Sequence, residues 1–303
     1  MDVVFRHAGS DDIPGVARVY REAVSELNRT RGFEYRSLRD LPVNPFYAYS
    51  LKYEPRGFRV AEHRGEIVGS AISWTRGTFW FLSHLFVKPS WQNHGIGRTL
   101  LEEVLSAGTG SEGMERGVVT YAYNPVSQRL YDSFGMGRRE IIYRLTGTAG
   151  RLPAFLKAEH PPKGYEVKKV SARGSRELSP VDEQVLGMVR QRHHRFFLSG
   201  PGVSCYAFLR GGAIRGYVYI WPDGHVGPLA VLKPSLLMKV LRFSLARAGG
   251  AGGRLSMLVP ASNREALNLL LTGGFKVQYP LCFMSSRRRW KWDRYFFHSP
   301  GMM

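Results

Sequence analysis

The sequence is poor in cysteine and in acidic residues, and it contains no long apolar run. Cys205 and Cys282 are its only cysteines in 303 residues. Neither lies in a metal-ligand spacing, so the sequence predicts neither a disulfide framework nor a zinc site. No apolar run approaches the ~20 residues of a membrane-spanning helix, and the start, MDVVFRHAGSDD, lacks the features of a secretory signal. We therefore expect a cytoplasmic protein without membrane contact.

The shortage of acidic residues leaves a large positive charge. The chain has 24 Asp and Glu against 43 Lys and Arg, a net charge of +19. Such an excess attracts anions, whether nucleic acid, anionic lipid or a phosphorylated cofactor. The arginines are spread along the chain, so an arginine-rich surface without a dedicated partner explains the charge equally well.

Strand and helix patterns alternate along the first half of the chain. Short apolar runs such as FWFLSHLFV and GVVTYAY read as strands, and DDIPGVARVYREAVSEL and NPVSQRLYDSF have helical spacing. This interleaving predicts an α/β fold, an α+β arrangement with a mixed sheet.

The pattern of the first half starts again after a stretch that contains Gly and Pro. GYEVKKVS repeats VVFRHAGS, LAVLKPS repeats LFVKPS, and Asn263 to Gly274 has the length of Asn124 to Gly135. A repeat of this length predicts two copies of one domain. We place the first domain at 1–147, a linker at 148–164 and the second domain at 165–303.

The two copies differ at a pair of glycines. The first copy reads VKPSWQNHGIGRTLL, with Gly95 and Gly97 before a helix, whereas LLMKVLRFSLA follows Lys233-Pro234-Ser235 in the second. The fold therefore does not need the glycines. Unpaired N–H groups at a helix N-terminus bind anions, and glycine lets a phosphate approach them. Leu100 stands where a dinucleotide-binding turn would have its third glycine, so that motif is absent. The Gly-Lys-Ser/Thr of a Walker-type phosphate-binding loop does not occur either.

This stretch resembles the acyl-CoA signature of the GNAT N-acetyltransferases, Gln/Arg-x-x-Gly-x-Gly/Ala after a strand. The matching residues are Leu85 to Pro89, then Gln92 to Gly97 and Arg98. The resemblance covers residues 3–145 in order and 165–284 weakly. It implies two tandem GNAT-like domains, the first catalytic and the second degenerate, and acetyl-CoA as co-substrate with no metal. The implied acceptor is a small-molecule or peptide amine, nucleic acid is not expected as a partner, and the chain is a monomer or homodimer.

The resemblance also implies roles for single residues. Main-chain groups of the strand end would pair with the pantetheine arm, and the glycine turn would wrap the pyrophosphate. The implied carrier-binding residues are Leu85, Phe86, Val87, Gln92, Asn93, His94, Gly95, Ile96, Gly97, Arg98, Asn124 and Ser127. A strand-bulge amide, here that of Val87, would polarise the acyl carbonyl.

Tyr131 is the implied general acid, which protonates the departing thiolate. Its alternative is a core aromatic beside Phe134. His84 is the candidate general base, because its ordinary pKa near ~6.5 suits the task; a structural histidine and a water held by Ser83 are the alternatives. The carboxylates that remain open are Glu22, Glu26 and Glu34.

The remaining features concern the activity of the second copy and the alternative functions of the protein. Leu270 stands where the first copy has Tyr131, so we expect the second copy to be non-catalytic. We expect the His193-His194 pair to lie on a solvated helix face rather than in a metal site. We expect the tail SSRRRWKWDRYFF to pack on its own domain. The function predicted is direct acetyl transfer to a primary amine. A non-catalytic acyl-CoA sensor and a nucleic-acid-binding protein are the rivals.

Overall fold

The structure is a computed structural model, and it describes residues 2–33, 43–108, 113–157, 161–249, 253–287 and 290–303. The chain divides into two compact units. The first comprises Met1–Val119, Tyr123–Gly137 and Met284–Ser286. The second comprises Thr120–Ala122, Arg138–Phe283 and Arg287–Met303.

Strands and helices alternate through the first copy of the repeat. In chain order its elements are β1 (Val4–His7), α1 (Ile13–Thr30), α2 (Phe46–Tyr53), β2 (Phe58–His63), β3 (Glu66–Arg76), β4 (Phe79–Val87), α3 (Ile96–Gly108), β5 (Glu115–Tyr121), α4 (Pro125–Ser133) and β6 (Arg138–Thr148).

The second copy has the same order of elements. They are β7 (Glu166–Val170), α6 (Ser179–Leu186), α7 (Gln191–Ser199), β8 (Ser204–Arg210), β9 (Ala213–Ile220), β10 (Val226–Val231), α8 (Pro234–Gly249), β11 (Arg254–Pro260), α9 (Arg264–Thr272) and β12 (Lys276–Ser285). A short helix, α5 (Ala154–Lys157), lies between the copies in sequence, and β13 (Tyr295–Phe296) follows the second. The mixed fold and the tandem repeat are thus confirmed.

In the first unit, strands β1 to β5 lie side by side in sequence order. The β1–β2, β2–β3 and β3–β4 pairs are antiparallel, and β4 pairs with β5 in parallel. Helix α1 begins with Pro14 in its first turn and buries Val16, Val19 and Val24. The strand β3 is buried along almost its whole length because apolar side chains cover both faces of the sheet.

In the second unit, β7, β8, β9, β10 and β13 lie side by side in that order, and β6 pairs with β11. Its core lies between these strands and helices α8 and α9, with Phe208, Leu241 and Leu270 fully buried. The strand Arg138–Thr148 is the last element of the first copy of the repeat, but by its contacts it belongs to the second unit. The domain boundaries at 147 and 164 describe copies of the repeat rather than contact units, and they stay a prediction.

None of the described helices is long and apolar enough to cross a membrane.

Candidate active site

The end of β4 carries a β-bulge and an edge without a partner strand. On the β3 side, Ile72 pairs with His84 and Ser73 with Leu82, so Ser83 is the extra residue. The bulge was expected at Val87, and that prediction is wrong: Val87 pairs in regular register with Gly69. Sequence periodicity does not reveal a single inserted residue in an apolar strand.

On the other side of β4, the parallel ladder with β5 ends at the Leu82–Val118 pair. Strand β4 nevertheless runs on to Val87. In the part of the chain that the structure describes, no strand pairs with this last edge of β4, which includes Leu85, Phe86 and Val87. Alternate residues of such an edge direct their N–H and C=O groups away from the sheet. The edge can therefore pair with an extended, amide-containing ligand.

The glycine turn joins this strand to helix α3. The side-chain amide of Gln92 donates to the carbonyl oxygen of Val87 at 3.0 Å and ties the turn to the strand end. Asn93 and Gly95 have left-handed backbones, with φ of 65° and 82°. Asn and Gly tolerate this conformation best. The turn thus delivers the chain into the helix start at Ile96.

The main-chain amides of this turn point to no acceptor. The amides of Arg98 and Thr99 donate to the Gly95 carbonyl at 2.9 and 3.1 Å. Within the described residues, the N–H groups of Asn93 to Gly97 have no hydrogen-bond partner. A row of free N–H groups at the positive end of a helix is a binding site for an anion.

The two glycines of the turn are there for different reasons. Gly95 has the left-handed φ of 82°, which disfavours any side chain. Gly97 does not, and a Cβ there would meet only Val87, at an ordinary 3.7 Å. The protein interior therefore leaves room for alanine at 97. What remains to explain Gly97 is the close approach of a ligand to the main chain.

Arg98 lies beside α4 rather than extending freely from the turn. Its guanidinium donates to the hydroxyl of Ser133 at 3.3 Å, lies 4.0 Å from Glu102 and covers the ring of Phe134 at 5.3 Å. The side chain is half exposed. Its predicted role at a phosphate stays a prediction.

Helix α4 starts as the sequence indicated. The side chain of Asn124 accepts a hydrogen bond from the Ser127 amide at 3.2 Å, and Pro125 occupies the first turn. In the second copy Asn263 caps α9 in the same way, through the Ala266 amide at 3.3 Å. Both helices are followed by a left-handed glycine, Gly135 or Gly274.

Tyr131 is a buried residue of α4, with 4% of its surface exposed. Burial raises the pKa of its hydroxyl far above the ordinary value, so the group stays protonated at neutral pH. Among the described residues the hydroxyl has no hydrogen-bond partner. A protonated hydroxyl without a partner is available to a ligand.

His84 is buried among aromatic rings, with 6% of its surface exposed. Its Nε2 shares a 2.8 Å hydrogen bond with the hydroxyl of buried Ser70. The rings of Phe86, Tyr47 and Tyr20 surround it, with centroids 4.6, 5.6 and 6.1 Å away. Burial lowers the pKa of His84 to about 3. The imidazole is therefore neutral at physiological pH.

The end of α1 contributes residues that sequence reasoning did not single out as a pair. The Tyr123 hydroxyl donates to Asn28 Oδ1 at 2.8 Å, and Phe33 stacks on Tyr123 with centroids 4.1 Å apart. Asn28 is buried, and its Nδ2 has no partner in the described part of the chain. Ser70 was missed as well, because no local pattern joins it to His84. Of the open carboxylates, Glu26 pairs with Arg29 at 2.7 Å, and Glu34 lies outside the described residues.

The second unit fills the corresponding strand edge with its own chain. Strand β13 pairs with β10 through Phe296–Leu229 and Tyr295–Ala230, and Phe297 bridges to Leu258 of β11. Leu229 and Ala230 stand in LAVLKPS, the repeat of LFVKPS at the end of β4. Tyr295 to Phe297 are fully buried, so the tail packs on its own unit as predicted.

The predicted solvated face at His193-His194 is wrong, because both histidines are fully buried. His194 lies 2.8 Å from both Asp182 Oδ2 and the Tyr219 hydroxyl. Partners distant in sequence satisfy the ring, which the local sequence QRHHRFF does not reveal. In the described part of the chain, no group of three or more His, Cys, Asp or Glu side chains could hold a metal ion.

Two comparisons match part of the chain to acetyltransferases. A model of the acetyltransferase (GNAT) family matches residues 21–136. An uncharacterized N-acetyltransferase of Archaeoglobus fulgidus is 32% identical over 110 residues, which are 33% of this chain and 69% of that protein.

Solved structures extend the similarity in fold to nearly the whole chain. A candidate acetyltransferase from Pyrococcus horikoshii has a TM-score of 0.75 at 19% identity, over 99% of this chain and 96% of that one. A GCN5-related N-acetyltransferase from Sphaerobacter thermophilus has a TM-score of 0.60 at 15% identity, over 93% and 95%. A tandem GNAT protein from the clavulanic acid biosynthesis pathway has a TM-score of 0.57 at 16% identity, over 95% and 100%.

The fold and the family match together define an acyltransferase with a tandem arrangement of two related domains. The chain belongs to the GNAT family of acetyltransferases, whose members use acetyl-CoA and act on amine acceptors.

Proposed function

We propose that the first unit transfers the acetyl group of acetyl-CoA directly to a primary amine. The observation that carries the proposal is the row of unpartnered amides from Asn93 to Gly97 at the start of α3. Five N–H groups at the positive end of a helix fit a diphosphate, and Gly97 leaves the main chain open to it. The free edge at Leu85 to Val87 fits the amide-containing arm of the carrier.

Tyr131 is the general acid in this proposal. The amine nitrogen attacks the acetyl carbonyl carbon, the carbon–sulfur bond breaks, and Tyr131 gives its proton to the sulfur that leaves. Because burial raises its pKa, the phenol is protonated at neutral pH and can donate a hydrogen bond to the sulfur while the thiolate forms. A main-chain N–H on the free edge of β4 would stabilise the negative charge on the carbonyl oxygen.

His84 acts in the neutral form in this proposal. An imidazole whose pKa is about 3 accepts a hydrogen bond from an amine or a water at any physiological pH. It is too weak a base to keep the proton, so the proton of the amine passes on to solvent. The hydrogen bond to Ser70 holds the ring for this task.

The glycine turn provides the sharpest test of carrier binding. Gly97→Ala should leave the midpoint of thermal unfolding unchanged or raised, because alanine fits and favours helix. It should weaken acetyl-CoA binding by calorimetry on the order of tenfold, or ~1.4 kcal/mol. Gly95→Ala is the matched variant, and it should lower both stability and binding because it strains a left-handed backbone.

If Gly97→Ala binds acetyl-CoA as tightly as the wild type, the carrier does not lie against this turn and the proposal fails. The rival function, an acyl-CoA sensor without turnover, is separated by product formation. Wild-type protein that binds acetyl-CoA but releases no free thiol with any of a broad panel of amines would favour the sensor.

A further inference from the structure

The second unit contains a cluster of buried nitrogen atoms without partners, away from the site described above. The atoms are Nε of Arg144 on β6, Nε2 of His225 before β10, and Nδ1 of His298 after β13. No hydrogen bond of good geometry reaches any of these three atoms among the described residues, although main-chain groups of His298 and Ser256 interact with the His225 ring and the main chain of Gly227 interacts with the His298 ring. His225 is 4% exposed. Buried polar atoms are almost always paired, so three in one place require an explanation.

Three neighbouring segments bring these side chains together. Arg144 pairs with Leu258 of β11, and Leu258 also bridges to Phe297, the residue before His298. The rings of His225 and His298 have centroids 5.5 Å apart. Trp221 stacks on the His298 ring at 4.3 Å and holds its orientation. The two imidazole rings of the cluster are thus held in place by packing.

The cluster carries a positive charge that no described carboxylate offsets. Burial, His298 and Arg144 lower the pKa of His225, and burial with Arg144 and Arg190 lowers that of His298 to about 3. Both imidazoles are therefore neutral, and Arg144 is the charge. The carboxylate next in sequence, Asp223, is exposed and accepts from the main-chain amide of His225 at 3.0 Å. Arg190 is already neutralised by Asp182.

The available atoms act as donors. The hydroxyl of Ser256 lies 3.1 Å from Nδ1 of His225, and when it donates there, Nε2 carries the ring proton. Arg144 Nε is always a donor, in a planar group that matches the oxygens of a carboxylate or phosphate. Neutral His298 can donate from Nδ1 in the tautomer that carries its proton there. Cations are disfavoured because the cluster offers them no negative ligand.

We infer that Arg144, His225 and His298 form a binding site for a small oxyanion, the phosphate or carboxylate group of a ligand. The site lies in the second unit, whereas the glycine turn lies in the first, so it does not depend on the proposed transfer reaction. It gives the second unit a recognition role of its own, and it uses part of the chain's positive charge.

The probe is inorganic phosphate, titrated against sodium chloride at equal ionic strength. Thermal unfolding is measured for the wild type, Arg144→Gln and the matched control Arg138→Gln, an exposed residue of the same strand. Phosphate at the glycine turn would stabilise all three alike. Phosphate bound at the proposed site should raise the unfolding midpoint further, beyond this common rise. The further rise should appear in the wild type and in Arg138→Gln and be absent in Arg144→Gln. Equal shifts in all three would overturn the inference.

A second measurement does not depend on how a variant folds. Imidazole nitrogen chemical shifts in the wild type should move for His225 and His298 on addition of phosphate, and those of half-buried His63 should not. Replacing His225 by Gln should reduce the phosphate-specific stabilisation. If the His225 and His298 signals do not respond to phosphate, water alone satisfies these atoms and the site does not exist.

Discussion

The Nε2 atom of His84 lies 2.8 Å from the hydroxyl oxygen of Ser70, on the neighbouring strand of the first unit. Both residues are buried, and the ring of Phe86 packs against the His84 ring at 63°, with centroids 4.6 Å apart. Because Ser70 occupies Nε2, the proposed role of His84 in the reaction would use Nδ1. Burial keeps the imidazole neutral, with a pKa of about 3.

The low pKa of His84 predicts a pH dependence of stability. The unfolded chain binds a proton at His84 below pH ~6.5, whereas the folded chain does so only near pH 3. Between these values the unfolded state holds more protons, so the free energy of unfolding falls as the pH falls, by at most about 1.4 kcal/mol per pH unit. His84→Gln should show a shallower fall between pH 7.5 and 5 in urea titrations. The wild type is measured in parallel, and equal slopes for the two proteins would contradict the burial of a neutral His84.

Removal of the Tyr131 hydroxyl should separate chemistry from binding. Tyr131→Phe keeps the buried ring, so we expect acetyl-CoA affinity and the unfolding midpoint to change little. Loss of a general acid typically costs 10²–10⁴-fold in rate, so free-thiol release should drop by roughly that factor. Tyr143→Phe, a partly buried tyrosine of the second unit, serves as the control and should keep full activity. A Tyr131→Phe enzyme with wild-type turnover would exclude the tyrosine as the acid.

The two helix caps offer a matched pair. Asn124→Ala and Asn263→Ala each remove a side chain that accepts from an amide three residues on. Each should lower the free energy of unfolding by about 1 kcal/mol, the usual value of such a cap. Only Asn124→Ala should also weaken acetyl-CoA binding, because α4 carries Tyr131 whereas α9 carries buried Leu270. Similar losses of binding in both variants would mean that the second unit takes part in carrier binding.

The buried ion pair of the second unit should contribute far more to stability than a surface pair. Asp182 contacts Arg190 at 3.0 Å with both side chains fully buried. Burial by itself would raise the pKa of Asp182, but Arg190 and His194 hold it below the usual range. Asp182→Ala removes the carboxylate partner of a buried guanidinium, which keeps only the hydroxyls of Tyr217 and Tyr295 and the main-chain oxygen of Met303 as acceptors. The loss should cost about 3–5 kcal/mol of unfolding free energy.

The surface pair of Lys168 and Glu177, 3.5 Å apart and half exposed, is the comparison for this experiment. Glu177→Gln should change stability by less than about 1 kcal/mol. Chemical denaturation measures both variants. If Asp182→Ala is no more destabilised than Glu177→Gln, the buried network does not hold the second unit together.

Local patterns carried most of the predictable structure. The helix start at Asn124, the strand–turn–helix around Gly95 and the restart of the pattern in the second half follow from short-range spacing, whereas helix α2 has no clear period in the sequence. The face of α7 was misjudged because His194 depends on Asp182, twelve residues earlier, and on Tyr219, twenty-five residues later. A helix whose polar residues find buried partners has the same local sequence as one that faces water.

The sequence by itself determined the family, the two copies and the turn whose amides define the candidate carrier site, because these depend on backbone conformation within a few residues. Only the tertiary structure decided which polar groups are desolvated and how they are paired. It placed Ser70 against His84, inserted Tyr295 and Phe296 beside β10, and left Arg144 without a counter-charge among the described residues. Burial sets the charge state of such groups, and burial is a property of the whole packed unit rather than of any short segment.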